Sequence, residues 1–274
     1  MNVITCSRQS GSRGEEIIDL LSRELNVQVV DKDSVEHALV KNGLPERSFE
    51  RYDEKKPGFW DLISSDRERY FHCLKASILE IAQGGNSIIV GRGAPVLLAG
   101  VPGVLHLRIV APLETRIHRV MEAHSCGEAD ARRLIRESDH NRAGFYRYFF
   151  DSDWDSHDLY DLILNTGYLK TRHALEIVRS LLKTPEFQEN AATTRRLTEL
   201  SLAQRILKQI LVDEQIPIRF PAVEVSGGTA TLTGTVNVAA SIERCKAVAE
   251  NTEGITEVLV QILHAPEIYN GPFM

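Results

Sequence analysis

The 274-residue chain has no apolar run near the roughly 20 residues that a membrane-spanning helix needs, so no integral membrane segment is expected. Nor does it open with a basic segment leading into an apolar one, so no secretory signal is expected and the chain reads as cytoplasmic. Cysteine is sparse. Cys6, Cys73, Cys126 and Cys245 are scattered with no C-x-x-C pair, which argues against a disulfide framework or a cysteine metal site and predicts free thiols. A large charge of one sign is missing too. With 32 Lys and Arg against 38 Asp and Glu the formal net charge is -6, so bulk electrostatics favour neither nucleic acid nor an anionic membrane. What is present is ordinary for a soluble protein: 43% hydrophobic residues, enough for a sizeable core, and 26% charged ones. The length suits one large or two modest domains.

The beginning of the chain is its most informative stretch. A β-prone run (Val3, Ile4, Thr5, Cys6) breaks at Ser7 into a small polar loop that ends at Gly14. A helix-patterned segment opens at Glu15, with Ile17, Ile18, Leu21 and Leu25 at helical spacing. Strand, glycine loop and helix in succession present backbone N–H groups and a positive helix end to an anion. Yet the usual cation is absent. A phosphate loop reads G-x-x-x-x-G-K-[ST], and its Gly-Lys-Ser end falls here on Arg13, Gly14 and Glu15, with Arg8 at the first glycine. Two other readings compete: an ordinary strand-to-helix turn, and a dinucleotide fold with Asp31 after the second strand, for which Gln9–Gly14 supplies only part of G-x-G-x-x-G.

Further along, strand-like runs at Val27–Asp31, Ser87–Val90, Val104–Val110 and Tyr160–Asn165 alternate with helical patterns at 32–40, 64–83, 113–150 and 170–182. Residues 46–60 read as charged and irregular. This alternation argues for a parallel sheet covered on both faces, with ligands at the carboxyl ends of its strands. Gly11 and Gly14, Asp31, Arg92, and Asn165 with Thr166 each follow such an end. The segment 113–150 is rich in arginine around a hinge at Ser125-Cys126-Gly127, and Arg116/Arg119 and Arg133/Arg136 are i,i+3 pairs sharing a helix face. A solvated surface helix has that pattern as well. A mobile arginine-rich hairpin is also what phosphoryl transfer needs to neutralise charge and exclude water. Residues 183–196 read as a polar linker, and the remainder as a small α+β module.

Residues 1–182 resemble the cytidylate-kinase-like family, relatives of bacterial CMP kinase among the P-loop nucleoside monophosphate kinases. The resemblance is carried, in order, by the loop from Ile4 to Gly14, Val30-Asp-Lys32, Gly91-Arg-Gly-Ala94, Arg116-x-x-Arg119, Ser138-Asp139-x-x-Arg142, Tyr160-Asp161 and Leu164-Asn-Thr166. It implies an α/β fold, a P-loop kinase-type parallel sheet with helices on both faces and an arginine-rich helical lid. It also implies ATP and Mg²⁺, with transfer of a phosphoryl group to a nucleoside monophosphate such as CMP or dCMP. Ser10, Gly11, Ser12, Arg13, Gly14 and Glu15 would then cradle the ATP phosphates, Glu15 reaching Mg²⁺ through water. Arg8, Arg116, Arg119, Asp139 and Arg142 would serve the transferred group. Asp31, Lys32, Arg92, Arg133 and Arg136 would hold the acceptor. Of the two loop arginines, Arg8 is the better replacement for the lysine charge, because it starts the loop beside the strand end.

Residues 197–266 look like a BON domain, on Val223-x-Val225, Gly228, Thr231-Leu-Thr-Gly-Thr-Val236, Ala247-Val-Ala249 and Glu253-Gly-Ile255, followed by a tail at 267–274. Docking to a protein or ligand partner is the expectation for it. Two alternatives stand beside the kinase: a degenerate nucleotide-sensing protein whose C-terminal module binds a partner, and a kinase for another small acceptor.

Overall fold

The computed structural model describes residues 3–45 and 65–265, and only the backbone of Ser65 and Asp66. The irregular stretch expected at 46–60 and the tail at 267–274 lie outside the described residues. Five strands, β1 (Val3–Arg8), β2 (Gln28–Val30), β3 (Ser87–Val90), β4 (Val104–Val110) and β5 (Leu162–Asn165), form one sheet in the order β2-β3-β1-β4-β5. Every pairing in it is parallel. Helices α1 (Gly14–Leu25), α2 (Lys32–Lys41), α3 (Ser65–Gly84), α4 (Ala94–Leu97), α5 (Leu113–His124), α6 (Glu128–Phe150) and α7 (Thr171–Leu181) connect the strands.

Because side chains alternate across a strand, each strand feeds two cores. Ile4 and Cys6 pack with Ile88, Val90, Leu105 and Leu107 beneath Ile17, Leu21 and Val178 of α1 and α7. Val3 and Ile89 face the other way, against Val35, Tyr70, Leu74 and Phe145 of α2, α3 and α6. This double burial is why β3 reads as a continuous apolar run, as the sequence predicts, whereas β4, equally buried, carries His106 and Arg108 among its apolar residues. Truncating fully buried Ile4 to Ala is expected to cost about 2–5 kcal/mol. The first strand runs two residues past the expected break, because Ser7 and Arg8 still pair with Arg108 and Ile109 of β4. Helices α5 and α6 fold on each other over a small core of Ile117, Val120, Ala131 and Ile135, turning at left-handed Ser125 (φ 49°).

After α7 the chain makes a short 3₁₀ turn at Pro185–Phe187 and then enters α8 (Ala191–Lys208). The helix begins earlier than its apolar pattern suggests, inside the stretch that reads as a linker. Asn190 caps it, its side chain accepting from Ala192 N (2.8 Å) and Thr193 N (3.2 Å) while Thr193 Oγ1 accepts from Asn190 N (3.1 Å). The expected boundary at 196/197 falls within this helix. Leu197 joins the core around α3, whereas Leu202, Ala203 and Ile206 join the C-terminal core. That module is a three-stranded sheet of β6 (Arg219–Ser226), β7 (Thr229–Val236) and β8 (Glu257–His264) in sequence order, with α9 (Ala240–Glu250) crossing between β7 and β8. Among the described residues no helix is long and apolar enough to cross a membrane.

Candidate functional site

The loop between β1 and α1 is held by the sheet itself. Gln9 N donates to Ile109 O (3.0 Å), its side-chain oxygen accepts from Ala111 N (3.3 Å), and Ser12 N turns back onto Gln9 O (3.1 Å). Arg13 sits in the left-handed region (φ 61°) at the N-cap of α1 and makes no side-chain capping bond. The first-turn N–H groups of α1 therefore have no cap from that residue and can meet an anion. Gly11 (φ 76°) lets the loop lie against α5, since a Cβ there would stand 2.8 Å from Arg116 O.

Gly14, at the lysine position, is crowded for a different reason. A Cβ on it would lie 2.5 Å from Arg8 Cβ and 2.6 Å from Arg8 Cγ. The stem of Arg8 thus occupies the space that a side chain at position 14 would claim. Its Nε donates to Glu15 Oε1 at 3.2 Å, so the loop cation is held by the residue at the hydroxyl position. Arg13 faces Glu16 instead, 3.6 Å away, and both of these side chains are exposed.

Two arginines one helical turn apart on α5 form the opposite wall. Arg116, 7% exposed, donates from Nη1 to Asp139 Oδ2 (2.6 Å) and to Ser10 O (3.5 Å). Arg119 donates from Nη1 to Gly11 O (3.2 Å) and Thr166 Oγ1 (2.9 Å), and from Nη2 to Thr166 O (2.7 Å). Burial, then the nearby Arg13 charge, lowers the Arg119 pKa from its ordinary value. Thr166 ties the wall to the loop through its own bond to Ser12 O (2.6 Å). Arg142 bonds Ser138 Oγ and lines the resulting cavity of about 540 Å³ with Ser10, Gly11, Arg13, Glu15 and Arg119. Ser12 Oγ, Arg116 Nε and Asp139 Oδ1 are buried beside the loop without hydrogen-bond partners among the described residues. The Ser12 and Arg116 donors and the uncapped helix suit a polyphosphate. Among the described residues no three His, Cys, Asp or Glu side chains cluster to hold a metal. Mg²⁺ bound through phosphate oxygens, water and one or two carboxylates does not need such a cluster, and Glu15, Glu16 and Glu122 are carboxylates that line the cavity.

Arg92 lies at the end of β3, in the middle of three consecutive positive-φ residues, Gly91 (72°), Arg92 (53°) and Gly93 (69°). It is 2% exposed, so it is buried and not a surface-turn arginine. Its Nη1 donates to Tyr70 OH (3.4 Å) and its Nη2 to Glu36 Oε1 (3.4 Å). Lys32 approaches the same carboxylate oxygen at 3.8 Å, so Lys32 and Arg92 share Glu36. Asp31 is exposed and caps α2, accepting from Ser34 N (3.0 Å) and Ser34 Oγ (2.8 Å). Those bonds hold its carboxyl below the usual carboxylate range. Arg133 and Arg136 are not brought to either group. Both are exposed on α6 and absent from the loop cavity, and Arg133 pairs with Asp130 at 3.2 Å.

Several positions escape the sequence reading. Glu36 is visible only as the i+4 partner of Lys32, and Tyr70 reads as one more member of an apolar helix stripe. Arg108 of β4 is buried between the rings of Trp154 (4.3 Å) and Tyr160 (5.1 Å), donating to Tyr160 OH at 3.1 Å. Trp154 in turn donates to Ser7 Oγ (2.8 Å), which anchors the segment after α6 to the end of β1. Cys6, also on β1, is fully buried, and burial pushes its thiol up to about 12, so it is inert.

Comparison with known proteins bears on family and fold. The cytidylate kinase from Pyrobaculum islandicum is 26% identical over 178 residues, covering 65% of this chain and 90% of that one. The cytidylate kinase from Methanocaldococcus jannaschii is 24% identical over 183 residues, covering 66% and 97%. Among solved structures, an uncharacterized protein from Eubacterium ventriosum superposes with a TM-score of 0.52 at 20% identity, covering 67% of this chain and 99% of that one, which speaks to fold. The BON domain matches residues 198–265. The cytidylate kinase-like family matches residues 3–168, more than half of the chain, and the protein belongs to that family, whose members support a kinase-type phosphoryl transfer.

Proposed function

We propose that the protein transfers the γ-phosphoryl group of ATP to a nucleoside monophosphate, CMP or dCMP foremost. The observation that carries this reading is the stem of Arg8 over Gly14, 2.5 Å from where a Cβ would stand. It keeps a cation at the loop although the lysine is gone. In this reading the amides from Ser10 to Glu15 and the N-terminus of α1 hold the triphosphate, and Arg8 contributes the charge. Arg116 and Arg119 neutralise the transferring group, with Asp139 holding Arg116 in place, and Arg142 closes the cavity from α6. Arg92 and Lys32 take the acceptor phosphate in exchange for Glu36. Mg²⁺, when bound, spreads the charge of the β- and γ-phosphates, and Glu15 is the residue that would face it. Positioning and charge complementarity carry the rate, because phosphoryl transfer asks little covalent chemistry of the protein.

ADP release measured with CMP, dCMP, UMP and AMP tests the reading. Turnover fastest with a cytidine acceptor supports it, and turnover only with a non-nucleotide acceptor replaces it. One observation favours a second reading, a nucleotide sensor without catalysis. Arg8, Arg13, Arg92 and Arg116 are each paired with a carboxylate of this chain, Glu15, Glu16, Glu36 and Asp139. Nucleotide binding with no turnover on any acceptor selects that one.

A further inference from the structure

A second cavity, also of about 540 Å³, opens between α3, α4 and the C-terminal end of α6, and it shares no lining residue with the loop site. Three of its side chains are cations, Arg67 and Lys75 from α3 and Arg147 from α6, against the single carboxylate of Asp151. Among the described residues neither Lys75 nor Arg147 has an ion-pair partner. Arg67 is held in place, donating to Tyr148 O (2.5 Å) with its guanidinium 4.6 Å from the Tyr148 ring centre. Burial, and then the neighbouring charge of Arg196 on α8, lower the Lys75 pKa. A half-buried ammonium beside a second cation, without a counterion, favours an anionic occupant.

The walls are of another kind. Phe71, Tyr148 and Phe150 line the same space, with the aliphatic side chains of α4 below them. An inorganic anion would use the cations and leave these rings unused. A planar base joined to a phosphate uses both, the rings by stacking and the guanidinium and ammonium groups by charge-assisted bonds. We propose that this cavity is a second nucleotide site, distinct from the phosphate loop, which takes a nucleoside phosphate with its phosphate toward Lys75 and Arg147. Its position gives it a route to the acceptor arginine. The Phe150 ring fills the space directly over Gly93, where no Cβ fits, beside Arg92.

The test is chemical protection of Lys75 in the full chain. Acetylation by acetic anhydride is followed at each lysine by mass spectrometry, without ligand and with CTP, ribose 5-phosphate or pyrophosphate. CTP should slow modification of Lys75 about tenfold at roughly ten times its Kd. Pyrophosphate should protect much less, and Arg147→Ala, at an exposed position, should abolish the effect. Lys32 beside Glu36 reports on the acceptor site in the same digest, so failure of the second site is read separately from failure of the kinase reading. An unchanged Lys75 rate with CTP overturns the proposal. So does equal protection by pyrophosphate, or protection that survives Arg147→Ala.

Discussion

If the stem of Arg8 fills the space of a side chain at position 14, the two positions must be coupled, and a double-mutant cycle measures by how much. A Cβ at Gly14 would meet Arg8 Cβ at 2.5 Å and Cγ at 2.6 Å. The Cβ is fixed by the backbone of β1 and cannot swing away, and the Cγ moves only by a change of χ1. Overpacking of this kind costs about 1–3 kcal/mol, whereas Gly to Ala in a helix otherwise gains up to about 1 kcal/mol. Gly14→Ala should therefore destabilise the parent by up to about 3 kcal/mol. In an Arg8→Gly background the same change should be neutral or stabilising, for a coupling equal to the overpacking, roughly 1–3 kcal/mol. Arg8→Ala is the discriminating control. It keeps the Cβ that makes the closer contact, so it should relieve little. The assay is urea unfolding of the set, read by circular dichroism. ATP calorimetry adds the functional arm: Gly14→Lys on Arg8→Gly should regain the roughly 1.5–3 kcal/mol that loss of Arg8 removes. Equal cost of Gly14→Ala in the parent and in Arg8→Gly would refute the packing argument.

Arg92→Ala should weaken acceptor binding by about 2–4 kcal/mol and leave ATP affinity nearly unchanged, measured by calorimetry with each nucleotide alone. His72, buried against α8, has its pKa lowered from 6.5 to about 4 by desolvation. Its folded pKa lies below the unfolded one, so the stability it sustains is full above pH 6.5 and lost as pH falls toward 4, by about 3 kcal/mol in all. Urea midpoints of the parent should drop over that window more than those of His72→Asn. A chain ending at Leu182 should unfold at a lower temperature than one ending at Lys208, because only the longer one keeps Leu197 in the first core and Gln204 on His72. Equal midpoints would show that α8 adds nothing to the kinase core.

The sheet was legible because short β-prone runs alternate with helical patterns; β1, β3 and β4 are buried almost throughout, while the edge strands β2 and β5 are partly exposed. The phosphate loop was legible as glycines between a strand and a helix. Rotation was harder to see. On α6 the residues at 131, 135, 139 and 142 run down one face, and Ala131 and Ile135 are buried there. At about 100° per residue, Arg133 lies roughly a third of a turn or more from every member of that stripe, and Arg136 lies about 100° from Ile135. Counting arginines by i,i+3 spacing joined them to the site, whereas following the apolar residues would have separated them. The start of α8 was hidden by composition, because Asn190 and Thr193 are polar in a polar stretch. Their spacing is nonetheless that of a reciprocal cap. The bonds of Glu36 and Tyr70 to Arg92 were hidden, since Arg92 is distant in sequence and nothing local marks the contact.

What ties these observations together is α3. Tyr70 on this helix meets Arg92 at 3.4 Å, and two residues later His72 meets α8, Gln204 Nε2 standing 3.0 Å from both His72 Nδ1 and His72 O. One residue before His72, Phe71 lines the second cavity, and Lys75 follows one turn on. Arg92, α8 and the cationic cavity thus each meet a different face of a single helix. A rigid helix passes displacement between its faces without an intervening hinge, and a packed core does not absorb small shifts. A change in load on the C-terminal module is therefore expected to reach Tyr70, and through it Arg92, more directly than the loop between β1 and α1. Any regulation by that module should act on acceptor affinity before it acts on ATP affinity.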